Sequence, residues 1–183
     1  MIVVVAGPAG SGKSTLGLAL ARLLRLPYLD LDTVTNPLLE QLTEGALDGR
    51  HWNDPGLRDV IRPARYSALL GVLNDQVQAG TGAVVVAPFT LELQGGREWE
   101  ALLRASGVRP HVVWLRASDE LLAERRGARA ADRDAYVVDV AGGAEPSVPH
   151  LAVDASLTVP QQVSAITRAF AIGRPLPADS PVF

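Results

Sequence analysis

The sequence predicts an α/β domain: a five-stranded parallel sheet flanked by helices, with a small lid. Three observations carry this. Residues 2–6 form a wholly apolar run rich in β-branched side chains, the pattern of a central strand covered on both faces. Four further short runs, at 28–31, 83–87, 111–115 and 150–153, have strand character. Helical patterns separate nearly all of them, and that alternation is how neighbouring parallel strands are connected.

The first strand leads through a glycine-rich turn into Leu16, Leu18, Leu20, Leu23 and Leu24, a broad apolar stripe at helical spacing. This helix is expected to end before Pro27, because the proline ring disfavours helical backbone in the residue before it. After the second strand, 28–31, a helix is expected at 38–47. Residues 45–63 are less regular, with three glycines, two prolines, His51 and Trp52, and read as a loop or short helices placed to cover a substrate. A helix at 65–77 precedes the third strand at 83–87, and one at 98–105 precedes the fourth at 111–115. A basic helix at 120–131 follows. A glycine and proline cluster at 142–149 separates it from the fifth strand at 150–153, and a helix at 161–170 comes last. The expected domain is 1–172, with residues 173–183 as a loosely packed tail.

At 183 residues and 48% apolar, the chain has material for one sizeable core, hence one domain with an inserted lid. A formal net charge of −3 supplies no global positive field to recruit nucleic acid or an acidic membrane surface. The absence of cysteine removes disulfides, thiolate metal sites and cysteine nucleophiles. Met1 is followed directly by the first strand, and no apolar span approaches the roughly 18 residues of a membrane helix. A cytoplasmic protein with no membrane partner is the expectation.

GPAGSGKST at positions 7–15 fits the G-x-x-x-x-G-K-[ST] phosphate-binding pattern, with an apolar strand before it and a periodic helix after it. Such a turn presents successive backbone N–H groups, here from Gly7, Gly10, Ser11, Gly12, Lys13, Ser14 and Thr15, to the phosphate oxygens of ATP. Lys13 is placed to span the β- and γ-phosphates, and Ser14 to offer its hydroxyl oxygen to Mg²⁺. The helix N-terminus adds partial positive charge. These features identify a P-loop NTPase fold.

Asp30 and Asp32 end the second expected strand, where two-residue spacing sends both carboxylates to one side. One can hold Mg²⁺ while the other orients an acceptor hydroxyl, or both can serve as solvated strand ends and helix caps. Asp32 is the better base candidate because it opens the segment leading toward the expected acceptor pocket.

GPAGSGKST followed by LPYLDLDTVT at 26–35 resembles the small P-loop kinases of the shikimate kinase and gluconate kinase group. The resemblance runs in outline over residues 1–171, and its specific part is the first 35. It implies a magnesium-associated role for Asp30 and an acceptor-binding role for Asp32. It also implies an acceptor-binding arginine near the start of the helix before the third strand, with Arg65 the nearest counterpart and Arg62 the second. After the third strand, where shikimate kinases carry a glycine triad, this chain has Ala87, Pro88 and Phe89, which points away from shikimate as the acceptor. No aspartate lies in that strand, so the metal shell is expected to depend on Ser14, Asp30, water and phosphate oxygens.

Arg125, Arg126, Arg129 and Arg133 fall within nine residues, and the i, i+4 spacing puts Arg125, Arg129 and Arg133 on nearly one helix face. A lid at about 125–134 with Arg129 and Arg133 on the nucleotide is one reading, and a solvated basic helix is the other. His51 and Trp52 in the covering segment, and Phe89 and Glu92 after the third strand, are expected pocket walls, although Glu92 can equally cap a helix. Together these features predict an ATP- and Mg²⁺-dependent kinase acting on a hydroxyl of a small polar metabolite. The alternative is a nucleotide-dependent switch or ATPase module acting on a macromolecular partner.

Overall fold

The computed structural model of the chain describes residues 1–47, 50–129 and 144–171. Five strands, β1 (Ile2–Ala6), β2 (Tyr28–Asp30), β3 (Ala83–Val86), β4 (His111–Arg116) and β5 (Leu151–Asp154), form one sheet in the order β2-β3-β1-β4-β5. Every pairing is parallel, and β1 is central, with Val4 opposite Val85 on one side and Val112 on the other. The predicted strands are all present. Among the described residues six α-helices accompany them: α1 (Lys13–Leu24), α2 (Leu31–Gly45), α3 (Arg58–Gln78), α4 (Gly96–Ser106), α5 (Asp119–Arg129) and α6 (Val159–Ala169).

Strand periodicity divides the buried side chains into two cores. Ile2, Val4 and Ala6 of β1 pack on the side of Tyr66, Leu69 and Leu73 from α3 and Leu102 from α4. Val3 and Val5 pack on the opposite side, with Leu16 and Leu20 from α1 and Ile166 from α6. All five residues of β1 are buried, which is why the strand is apolar without alternation.

Two helices begin more than a turn earlier than the sequence predicts. Helix α2 starts at Leu31 rather than at 38 and carries Pro37 inside it, and α3 starts at Arg58 rather than at 65 and carries Pro63 inside it. Residues 58–63 of the expected covering segment are therefore helical, and among the described residues before them a 3-10 turn forms at Pro55–Leu57. Among the described residues, no helix is long and apolar enough to cross a membrane.

Candidate active site

The chain turns from β1 into α1 through backbone that glycine alone adopts without strain. Gly10 and Gly12 have φ of 84° and 95°, and Gly12 is the left-handed N-cap of α1. A Cβ at Gly7 would stand 2.9 Å from the Leu115 carbonyl oxygen and from Ser11 Oγ, so the loop closes on its own neighbours. The Ser11 N–H donates to the Pro8 carbonyl at 3.2 Å, and Lys13 Nζ donates to the same oxygen at 3.0 Å. Ser11 is buried, and its Oγ has no partner among the described residues. Ser14 and Thr15 are exposed on the first turn of α1.

Arg125 holds this loop from α5. Its Nη1 donates to the Ser11 carbonyl at 3.0 Å and to the Gly10 carbonyl at 3.5 Å, while Nη2 donates to the Ala155 carbonyl after β5 at 2.9 Å. The Ser11 carbonyl is thereby turned to α5, and the Gly12 N–H of the same trans peptide points the opposite way. Sequence reasoning placed Arg125 in the basic cluster but favoured Arg129 and Arg133. The side chain of Arg129 and the whole of Arg133 lie outside the described residues, as does most of the expected lid at 125–134.

Asp30 is the point where β2 meets the phosphate loop. It is 7% exposed, and its Oδ2 accepts from Ser14 Oγ at 2.9 Å and from Tyr28 OH at 2.8 Å. Its Oδ1 accepts from the Asp32 N–H at 2.9 Å and so caps α2. Burial first, and Asp30 second, push the Tyr28 phenol well above its ordinary range, so it remains a protonated donor. Sequence reasoning missed Tyr28, although its place two residues before Asp30 on one strand put both side chains on the same face.

Asp32 is not a strand end, which corrects the expectation. Because Asp30 caps the helix at once, Asp32 sits in the first turn of α2, its side chain 60% exposed. There its Oδ1 accepts from Arg65 Nη2 at 2.6 Å. Arg65 also donates from Nη2 to Asn36 Oδ1 at 2.9 Å and from Nε to Thr35 Oγ1 at 2.9 Å, and its guanidinium lies 4.7 Å from the centre of the Trp52 ring. Trp52 is buried, next to the His51 ring at 5.0 Å, and its Nε1–H has no partner among the described residues. Asp32, Arg65, Trp52 and His51 are thus brought together from α2, α3 and the covering segment.

Arg62, one turn before Arg65, donates from Nη2 to both carboxylate oxygens of Glu92, at 3.0 and 2.9 Å, and lies 4.4 Å from the Tyr66 ring centre. Glu92 is neither a helix cap nor a solvent-facing pocket wall. The N-cap of its 3-10 turn is Leu91, and the Glu92 side chain is 3% exposed. Phe89 is a second correction. Its ring is fully buried, edge-on to Tyr66 at 5.7 Å, and its N–H donates to Tyr66 OH at 2.9 Å, so it belongs to the core beneath the site. Its φ of 50° turns the chain after β3 and carries Thr90 and Glu92 toward Arg62.

Known proteins agree with this architecture. A shikimate kinase from Brucella canis is 27% identical over 125 residues, covering 68% of this chain and 54% of the relative, so the chain spans about half the length of the curated relatives it matches. A solved putative kinase from Chloroflexus aurantiacus aligns with 94% of this chain and 97% of its own, at a TM-score of 0.66 and 23% identity. A gluconokinase from Sinorhizobium meliloti aligns with 92% of this chain and 90% of its own, at a TM-score of 0.62 and 21% identity. At these identities the likeness to the solved structures is one of fold, and the fold is that of the small P-loop kinases the sequence resembles. The model of the AAA domain family matches residues 2–141, well over half of the chain, which therefore belongs to that family.

Proposed function

We propose that this protein transfers the γ-phosphoryl group of ATP to a hydroxyl of a small polar acceptor. The observation that carries the reading is the pairing of Asp32 with Arg65, two residues past the Ser14–Asp30 contact at the phosphate loop. A carboxylate held by a guanidinium beside a phosphate cradle is what orienting an acceptor hydroxyl requires.

The residues fit a magnesium nucleotide. Gly10 and Gly12 take the positive φ with which such a turn presents its N–H groups to phosphate, and Ser14 Oγ and Asp30 already lie 2.9 Å apart at its mouth. Ser14 and Asp30 would hold Mg²⁺, directly or through water, and the ion supplies charge neutralisation at the phosphates when bound. Lys13 exchanges its bond to the Pro8 carbonyl for the phosphate oxygens. The acceptor oxygen attacks phosphorus as the bond to the bridging oxygen breaks, the hydroxyl proton passes to Asp32, and ADP leaves with the electron pair. Arg65 fixes one oxygen of Asp32, and the other, without a partner among the described residues, faces the acceptor.

The test is an acceptor screen over polyols, sugar acids, cyclic hydroxy acids, nucleosides and aminoglycosides, read by ADP formation and product mass. Single-turnover transfer to the acceptor it finds is then compared in wild type and Asp32→Asn. ATP affinity should be retained while transfer falls about 10²- to 10⁴-fold, the usual contribution of a general base. Near-normal transfer by the variant rules out this role for Asp32. ATP hydrolysis driven by a macromolecule, with no acceptor phosphorylated, would favour the switch reading.

A further inference from the structure

The acceptor end of the site carries two arginines on one face of α3, and both are already committed. Arg62 is stacked on Tyr66 and bound through one nitrogen to both oxygens of Glu92. Arg65 is stacked on Trp52 and bound to Asp32, Thr35 and Asn36. Each guanidinium thus has an aromatic face beneath it and a carboxylate at its edge, and the four charges sum to zero. The Arg62 pair is the more firmly held. Glu92 is 3% exposed, so Arg62 cannot turn to another anion without leaving a buried carboxylate unpaired. Arg65 cannot turn away from Asp32 without releasing the group that orients the acceptor.

Among the described residues, a carboxylate or phosphate on the acceptor therefore meets no guanidinium here whose charge is not already balanced, and it comes close to the exposed carboxylate of Asp32, which repels it. An uncharged polyhydroxylated molecule meets what it needs. Asp32 accepts from a hydroxyl, while the half-buried Thr90 Oγ1, within reach of Arg62, offers a further polar contact. Arg58, exposed at the start of α3 one turn before Arg62, has no carboxylate partner among the described residues and lies in solvent.

We propose that Glu92 is a specificity-determining residue: by neutralising Arg62 it makes the acceptor site select an uncharged polyol or sugar over its anionic counterpart. The proposal rests on the kinase reading and narrows its substrate class.

Matched pairs test it. Wild-type protein with Mg-ATP is given aldoses or polyols, each alongside its aldonic acid and its monophosphate, and kcat/KM is read from ADP and product mass. The neutral member should be preferred about tenfold or more, the order expected when a charged group is desolvated without a partner. Glu92→Gln keeps the shape and frees Arg62, so it should narrow or reverse the ratio, chiefly through KM of the anionic member. Arg58→Ala should leave the ratio where it was. A wild-type preference for the anionic members overturns the proposal while leaving the kinase reading intact, whether or not Glu92→Gln folds. An unchanged ratio in a Glu92→Gln variant with a normal melting profile overturns it as well. Absence of product from every member of every pair, with ATP still bound, overturns the kinase reading and this proposal with it.

Discussion

Asp30 gathers three donors from three parts of the chain: the Ser14 hydroxyl from α1, the Tyr28 phenol from its own strand and the Asp32 N–H from α2. A buried carboxylate with that many hydrogen bonds has one orientation open to it, and Tyr28, whose hydroxyl also lies 3.3 Å from the Ser14 carbonyl, is the donor whose removal leaves the Ser14 hydroxyl and the helix cap in place. We therefore expect Tyr28→Phe to retain ATP binding but raise the Mg²⁺ concentration at half-maximal turnover about 10-fold or more, as loss of an outer partner of a metal ligand does. Two measurements check this: the Mg²⁺ dependence of turnover, and the extra thermal stability that Mg²⁺ gives the ATP complex. Wild-type values in both would show that Tyr28 only fills space. The chemistry of Asp30 and Ser14 was legible in the sequence as residue types at motif spacing. That Glu92 would be buried was not, because its partner Arg62 lies thirty residues away and no local pattern joins them.

Element boundaries moved where proline and packing disagreed. The expected helices began at 38 and 65, just after Pro37 and Pro63, and the residue before a proline is disfavoured in helical backbone. In the structure Asp30 caps α2 and buries Leu31 and Leu39, and α3 buries Tyr66, Leu69 and Leu73, so packing holds both helices through their prolines. The consequence is functional, since the early start of α2 puts Asp32 on a helix turn and the early start of α3 puts Arg62 and Arg65 on one rigid face. Helix α1 packs tightly on the sheet at Gly17, where a Cβ would collide with Val86 Cγ2 and stand 3.2 Å from Tyr28 Cε2. Gly17→Ala should therefore destabilise by about 1–3 kcal/mol, since overpacking outweighs the better helix propensity of alanine. Urea denaturation measures it. A variant as stable as wild type would show that α1 can lift away from β3 without cost.

Across the whole molecule the sheet keeps two cores apart, with Leu69 fully buried on one side and Leu20 on the other. Each leucine-to-alanine change should cost about 2–5 kcal/mol, the range for cavities in packed cores. The double variant should lose their sum within about 0.5 kcal/mol, as independent sites do. A larger coupling in a double-mutant cycle would mean that the sheet transmits strain between its faces. The sequence by itself determined the α/β class, the five strands and the phosphate loop. These depend on local signals: unbroken apolar runs for strands buried on both faces, helical periodicity, and glycines where side chains would clash. Tertiary structure alone decided which polar groups meet. The Asp32–Arg65 and Arg62–Glu92 pairs, the hold of Arg125 on the loop and the burial of Phe89 arise when α3, α5 and the turn after β3 converge at one edge of the sheet. Sequence spacing reports which residues share a strand or helix face, whereas the sum of charge at an acceptor site depends on contacts between elements far apart in the chain.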